Sequence, residues 1–218
     1  MTGRLVIFDV DGTLIDSQAH ILGAMSVAFD SIGHPCPSRE VVLRIVGLSL
    51  PVAVAQLAPE LSVTAHAELI EGYKSAFSTL RAETLSPLYP GAQEVLEQLE
   101  ADRQIVLGIA TGKSRRGLDH IMAAHGWAGR FATMQVSDDH PSKPDPSMIA
   151  ACLRETGLAA HQAVMVGDTR FDMQMARAAG VRGLGVAWGY HAADTLDAPV
   201  IADFAELPGA LADMWEAA

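Results

Sequence analysis

A doubly wound, mainly parallel α/β sheet carrying an inserted all-helical domain is the fold class this sequence predicts, on three observations. Short apolar runs alternate with amphipathic stretches along most of the chain. The runs are too short and too uniformly apolar to form a solvated antiparallel ribbon, and a single stretch breaks the alternation with helical periodicity only. In order, residues 5–8 read as a first strand. Residues 19–31, 38–46, 51–57 and 64–80 then read as helices, punctuated by Pro35, Pro37 and Pro59. Pro87, Pro90 and Gly91 mark the return to alternation. Strands follow at 105–110, 131–136, 163–166, 183–186 and 199–201, with helices at 91–100, 114–125, 147–156, 170–179 and near 205–214. The expected division is a core of residues 1–16 and 84–218 and a helical domain of residues 17–83 packed over the strand ends. Ligands of such sheets sit at the carboxyl ends of the strands.

The bulk composition narrows the function. With 218 residues, half of them hydrophobic and 19% charged, the chain can bury a sizeable core, which argues against disorder. Its net charge of -11 leaves no basic footprint for nucleic acid and no attraction to an anionic membrane surface. An anionic ligand would therefore need local positive charge or a metal. Cys36 and Cys152 fall in no metal-ligand spacing and read as free thiols of a reducing compartment. No secretory signal and no apolar segment of membrane-spanning length is visible, so a cytoplasmic location is expected.

Four places at strand ends carry candidate chemistry. Asp9-Val10-Asp11-Gly12-Thr13 follows the first apolar run directly. Its two carboxylates, at the strand period, fall on one side of the sheet edge, where their repulsion is costly unless a cation or proton offsets it. The alternative is an ordinary Asp-Gly turn. The second strand runs into Thr111-Gly112-Lys113-Ser114, where a hydroxyl, a glycine and a helix start suit a phosphate or similar anion; simple helix initiation would read the same. Asp168 and Asp172 stand one helical turn apart behind the fourth strand, facing one side near a helix start; the alternative is that Asp168 or Thr169 simply caps that helix, which Gly180 closes. Lys143 lies in Ser142-Lys143-Pro144-Asp145-Pro146, whose prolines stiffen the loop and can hold the cation in one geometry, Pro146 suiting a first helical position.

Taken together, these motifs resemble, in order and on the expected elements, the four motifs of the haloacid-dehalogenase-like superfamily, and the helical insert is similar to the small cap of its phosphoglycolate-phosphatase-like branch. The resemblance spans essentially the whole core, which implies a Rossmann-like sheet. It implies that Asp9 is a nucleophile forming an aspartyl-phosphate, and that Asp11 is the general acid and then the general base. It further implies that Gly12, Thr111, Gly112 and Lys143 surround the phosphoryl group. Asp9, the Asp11 carbonyl, Asp168 and Asp172 would serve a Mg²⁺ cofactor. An all-oxygen donor set without histidine or cysteine suits Mg²⁺ rather than zinc.

The expected function is a Mg²⁺-dependent phosphatase hydrolysing a small-metabolite phosphomonoester of the phosphoglycolate kind. Its partner would be a small phosphorylated metabolite, with no nucleic acid and no membrane, the chain acting as monomer or homodimer. An acid at position 11 argues against dehalogenation, since a halide leaves without a proton. Lys74, the insert's only lysine, reads as a solvated residue rather than a Schiff base. The alternatives are a sugar-phosphate mutase of the beta-phosphoglucomutase type, an inorganic pyrophosphatase and a non-catalytic binding protein of the same fold. His20 and Arg115 are further candidates near the motifs. The loop Gly47-Leu48-Ser49 is either a reader of the leaving group or a plain turn, and the remaining histidines, His191 among them, read as surface or helix-end residues.

Overall fold

The computed structural model describes residues 3–216. In chain order the elements are β1 (Arg4–Phe8), α1 (Gln18–Ser31), α2 (Arg39–Leu43), α3 (Leu50–Leu57), α4 (Val63–Glu83), α5 (Ala92–Ala101), β2 (Ile105–Thr111), α6 (Arg115–Ala124) and β3 (Thr133–Val136). After them come α7 (Ser147–Thr156), β4 (Ala163–Gly167), α8 (Arg170–Ala178), β5 (Arg182–Val186), β6 (Val200–Ile201) and α9 (Leu207–Glu216).

Leu5, Val6, Ile7 and Phe8 have no exposed surface, because β1 is covered on both faces. Val6 and Phe8 join one apolar cluster with Leu96, Leu118 and Leu211, while Leu5 and Ile7 join another with Met148, Cys152 and Met175. This is the period-two division of a strand buried on both sides, and it explains why the run carries no polar residue. All strand pairs are parallel and the order is β3-β2-β1-β4-β5-β6. The chain winds outward from β1 to β3 and then crosses back to β4, so the winding reverses between β1 and β4 and a crevice opens there at the strand ends. Phe8 pairs in register with both Ile109 and Val166, so β1, β2 and β4 end nearly level. Residues that follow these strands become neighbours without any further device.

Residues 18–83 contribute helices only, and these share an apolar cluster of their own, including Ile21, Met25, Phe29, Val42, Val54 and Leu69. The chain enters and leaves this region side by side. Asp16 N–H donates to Pro87 O at 2.9 Å and Tyr89 N–H to Leu14 O at 3.0 Å, around an antiparallel bridge of Ile15 and Leu88.

Several boundaries differ from those the sequence predicts. The helix expected at 38–46 stops at Leu43, with turns through Gly47. Val42, Leu43, Val46 and Leu48 are all buried, so helical spacing runs on past the helix itself. The expected 64–80 helix extends to Val63–Glu83, since Ser62 Oγ caps its start by accepting from Ala65 N–H at 3.2 Å. The helix expected from Gly91 starts at Ala92, because Gly91 is left-handed with φ 85°. Pro146 occupies the capping position before α7 rather than its first turn. The last helix starts at Leu207 behind a 3₁₀ turn at Phe204–Glu206, with Pro208 in its first turn where no N–H is needed. Both cysteines are free, Cys152 buried and Cys36 partly exposed. Among the described residues no helix is long and apolar enough to cross a membrane.

Candidate active site

The level ends of β1, β2 and β4 deliver Asp9, Thr111 and Asp168 to one edge of the sheet. Asp9 is held there by its backbone, its N–H donating to Val166 O at 3.0 Å, which carries the β1–β4 ladder one residue beyond the strand. Thr169 caps α8 in a reciprocal pair with Asp172. Thr169 N–H and Oγ1–H donate to Asp172 Oδ2 at 3.0 and 2.6 Å, and Asp172 N–H donates back to Thr169 Oγ1 at 3.3 Å. The capping alternative is therefore realised by Thr169, with Asp172 as its reciprocal partner. Its other oxygen, Oδ1, faces the site and accepts from Lys143 Nζ at 2.6 Å.

Asp9, Asp168 and Asp172 each offer a carboxylate oxygen within 4.8 Å of the other two, and all three are buried. Lys143, 1% exposed, lies 3.1 Å from Asp9 Oδ2 as well as against Asp172. Apart from this ion pair, both Asp9 oxygens are buried without a hydrogen-bond partner among the described residues. Burial raises the Asp9 pKa to about 7 against the pull of Lys143, with Asp172 and Asp11 adding to the rise. Burial likewise pushes Asp168 well above the usual carboxylate range, with Asp172 and Asp9 adding repulsion. Burial opposes the charge on Lys143, but Asp172 and Asp9 outweigh it and hold its pKa above the ordinary lysine value. Two orphaned oxygens and three converging carboxylates in a dry site fit a hard divalent cation.

Asp168 is fixed on both oxygens, accepting from Thr13 Oγ1 at 3.0 Å and from Tyr190 N–H at 2.9 Å. Gly12 is left-handed with φ 84°, and a Cβ there would collide with the Asp168 carboxylate; a Cβ at Gly189 would do the same. Thr111 is buried, and its hydroxyl accepts from Lys113 N–H at 3.2 Å. Gly112 has no room for a side chain, since a Cβ would lie 2.6 Å from Gly47 O and 2.8 Å from Leu48 O. The loop Gly47-Leu48-Ser49 thus presses on the sheet edge and lines the cleft, and Ser49 N–H donates to Ser142 Oγ at 2.8 Å.

Asp11 stands apart from the three clustered carboxylates. Its Oδ2 pairs with Lys113 Nζ at 2.9 Å and its Oδ1 accepts a short hydrogen bond from Ser17 Oγ. Lys113 lies 5.1 Å from the Phe77 ring centroid, so this pair touches the helical region as well. Ser17 N–H donates to the Tyr190 hydroxyl at 3.1 Å. Lys113, Ser17, Gly189 and Tyr190 were not singled out from sequence. Lys113 sits beside a recognised motif, but nothing in the chain signals its partner, and Gly189 and Tyr190 lie in a loop with no pattern of its own.

Other candidates fall elsewhere. Arg115 braces the end of β3 through Met134 O and Asp139, while its neighbour Arg116 lines the cleft. Buried His20 places Nδ1 2.6 Å from Ser86 Oγ, near the return from the helical region. Lys74 is exposed and paired with Glu71 at 2.7 Å. His191 is buried, contrary to its surface reading. Its Nδ1 accepts from Arg170 N–H at 3.2 Å and its Nε2 lies 3.1 Å from Arg44 O, an arrangement satisfied by the neutral ring with its proton on Nε2. The ring ties the start of α8 to the end of α2.

Above the sheet edge lies a cleft of about 630 Å³, lined by Asp9, Asp11, Thr111, Gly112 and Lys113 below and by α1, α3 and α4 above. Comparison with known proteins accords with this geometry. The sequence model of a family described as haloacid dehalogenase-like hydrolase matches residues 6–186. A probable phosphatase IndB of Dickeya dadantii is 32% identical over 217 residues, covering 94% of this chain and 92% of that protein. A phosphoglycolate phosphatase of Vibrio cholerae is 30% identical over 200 residues, covering 86% of each. The crystal structure of a hydrolase from Pseudomonas syringae matches with a TM-score of 0.85 at 25% identity, covering 96% of this chain and 98% of that one.

Proposed function

The chain belongs to the haloacid dehalogenase-like hydrolase family, and from that premise we propose that it is a Mg²⁺-dependent phosphatase of a small-metabolite phosphomonoester. Phosphoglycolate, the compound in several relatives' names, is the reference substrate. The observation that carries this reading is Asp9: a carboxylate 1% exposed, at the tip of the central strand, ion-paired with Lys143 but with neither oxygen hydrogen-bonded among the described residues. Such a group is costly to maintain unless it is used.

In this reading an Asp9 oxygen forms a bond to phosphorus as the ester P–O bond breaks, and Asp11 gives its proton to the departing alkoxide. Asp11 then takes a proton from water, which attacks the aspartyl-phosphate and frees Asp9 and inorganic phosphate. Thr111, the Gly112 amide and Lys143 hold phosphoryl oxygens, and the Gly12 turn lets the backbone approach Asp168. Asp9, the Asp11 carbonyl, Asp168 and Asp172 would hold the metal, which supplies the positive charge that lets an anionic ester approach an anionic nucleophile. Residues 17–83 act as a cap that excludes water from the cleft.

The test is phosphate release across a panel of phosphorylated metabolites with Mg²⁺. Release should vanish with EDTA and fall by at least about 10³-fold in Asp9→Asn. Turnover that survives either change overturns the mechanism, and conversion of a sugar phosphate into its isomer would make the chain a mutase.

A further inference from the structure

Lys143 reaches the buried carboxylates from the loop between β3 and α7, and a chain of polar side chains on β3 closes that loop. Thr133 and Gln135 alternate with Met134 and Val136, which face the large apolar cluster, so the two polar residues share the opposite face of the strand, toward α7. Both are buried, at 2% and 6% exposed, where apolar side chains are the usual occupants. Thr133 Oγ1–H donates to Glu155 Oε2 on α7 at 2.6 Å, and Gln135 Nε2–H donates to Thr133 Oγ1 at 2.8 Å. Gln135 Oε1 lies 2.8 Å from Nε2 of half-buried His140, whose Nδ1 lies 2.7 Å from Ser147 Oγ, on the first residue of α7.

These bonds run in one direction. The Glu155 carboxylate only accepts, so Thr133 gives it the single hydroxyl proton and takes another from the Gln135 amide. The amide oxygen is thereby left facing His140, which donates from Nε2, and the neutral ring accepts from Ser147 at Nδ1.

The loop closed in this way carries Lys143. His140 and Ser147 join its two ends. Within it, Asp145 N–H donates to Ser142 O at 3.1 Å and Ser147 N–H to Asp145 Oδ1 at 2.9 Å. The ammonium of Lys143 sits on a flexible four-carbon stem and follows Asp172 and Asp9 wherever its backbone allows, so its place depends on the loop as well as on the ion pairs.

We propose that His140 is a positioning residue for Lys143: by clasping the two ends of the loop to β3, it holds the ammonium where it serves both Asp9 and a phosphoryl oxygen. The inference rests on the phosphatase reading and extends it to a residue outside the lining of the cleft. His140 touches none of the reacting groups, so its loss acts through Lys143, and a misplacement of about 1 Å in such a group can cost up to about 10²-fold in rate.

Two independent readouts test this. With p-nitrophenyl phosphate and Mg²⁺, His140→Ala should lower kcat/KM about tenfold, while His140→Gln, whose amide can still donate to Gln135 Oε1, should stay within about threefold of the unaltered protein. In a Lys143→Met background the same His140→Ala change should cost less than about twofold, since no ammonium is left to misplace. A tenfold loss in that background, no loss in the unaltered one, or no recovery with glutamine overturns the proposal. The second readout needs no turnover. In the metal-free protein Lys143 should resist acylation by acetic anhydride while exposed Lys74 reacts, and His140→Ala should speed the labelling of Lys143 at least about fivefold with the buried Cys152 thiol still protected. Unchanged labelling, or exposure of Cys152 at the same time, makes His140 a residue of ordinary packing and overturns the proposal. If the unaltered protein releases no phosphate, the phosphatase reading fails by itself, and the labelling of Lys143 then decides the positioning.

Discussion

The sheet edge and the helical wall face each other across one cleft and are built on opposite terms. At the edge, Asp9, Lys143, Asp168 and Asp172 are at most 1% exposed, and each is ionisable. On the wall, Ile70, Tyr73 and Phe77 are half-buried and apolar or aromatic. Charged groups in a dry site interact strongly and directionally, so one geometry is held at the expense of adaptability. Apolar surface attracts without direction and tolerates many shapes. A fixed chemical step can therefore be combined with a recognition surface that changes independently.

The sharpest way to break this contrast is at its most buried cation. Lys143→Met leaves Asp9 and Asp172 facing each other uncompensated, so the metal-free protein should lose about 3 kcal/mol in urea unfolding. Phosphate release should fall about 10²- to 10³-fold with it. An unchanged urea midpoint would mean that the edge does not depend on its lysine.

A smaller effect is expected where edge and wall meet. Lys113→Met removes the partner of Asp11 and the cation beside Phe77, in a position less enclosed than that of Lys143. A drop in kcat/KM of about tenfold is expected, well short of the loss from a missing general acid. A loss equal to that of Lys143→Met would erase the distinction between the two lysines.

The smallest effect concerns the tie between the regions. Burial lowers the His191 pKa, with Arg170 also opposing its charge, against the favourable pull of Arg44 O and Asp172. A histidine depressed in the folded state adds stability that is present above its unfolded pKa and lost as the pH falls through its folded value. Between pH 7.5 and pH 5.0 the unaltered protein should lose more stability than His191→Gln, by about 1 kcal/mol or less. Equal slopes in urea titrations at the two pH values would remove His191 from the tie.

The edge was legible in the sequence because a parallel strand buried on both faces must be a short apolar run, and the residues that end level strands must meet. The three motifs of Asp9, Thr111 and Asp168, distant in sequence, therefore converge through register, as Phe8 opposite Ile109 and Val166 shows, while Lys143 arrives on the loop between β3 and α7. The wall was not legible. The spacing of Ile70, Tyr73 and Phe77 matches any amphipathic helix, and only their place in the lining of the cleft distinguishes them from the rest of the helical core. Lys113 was passed over for a similar reason, since its meaning depends on Asp11 and Phe77, which lie far away along the chain. The burial of His191 has no counterpart in the sequence, because an isolated histidine carries no signal of what packs around it.

The paired backbone at Leu14–Asp16 and Pro87–Tyr89 has a further consequence. The polypeptide departs from the core and rejoins it at nearly the same point, so ring closure there is set by a few hydrogen bonds and depends only weakly on how much chain hangs between them. A segment joined at that junction need not alter the strand order, nor the placement of Asp9, Asp168 and Asp172 that follows from it. The fold thus offers a socket into which different helical inserts can be fitted while the sheet beneath stays the same.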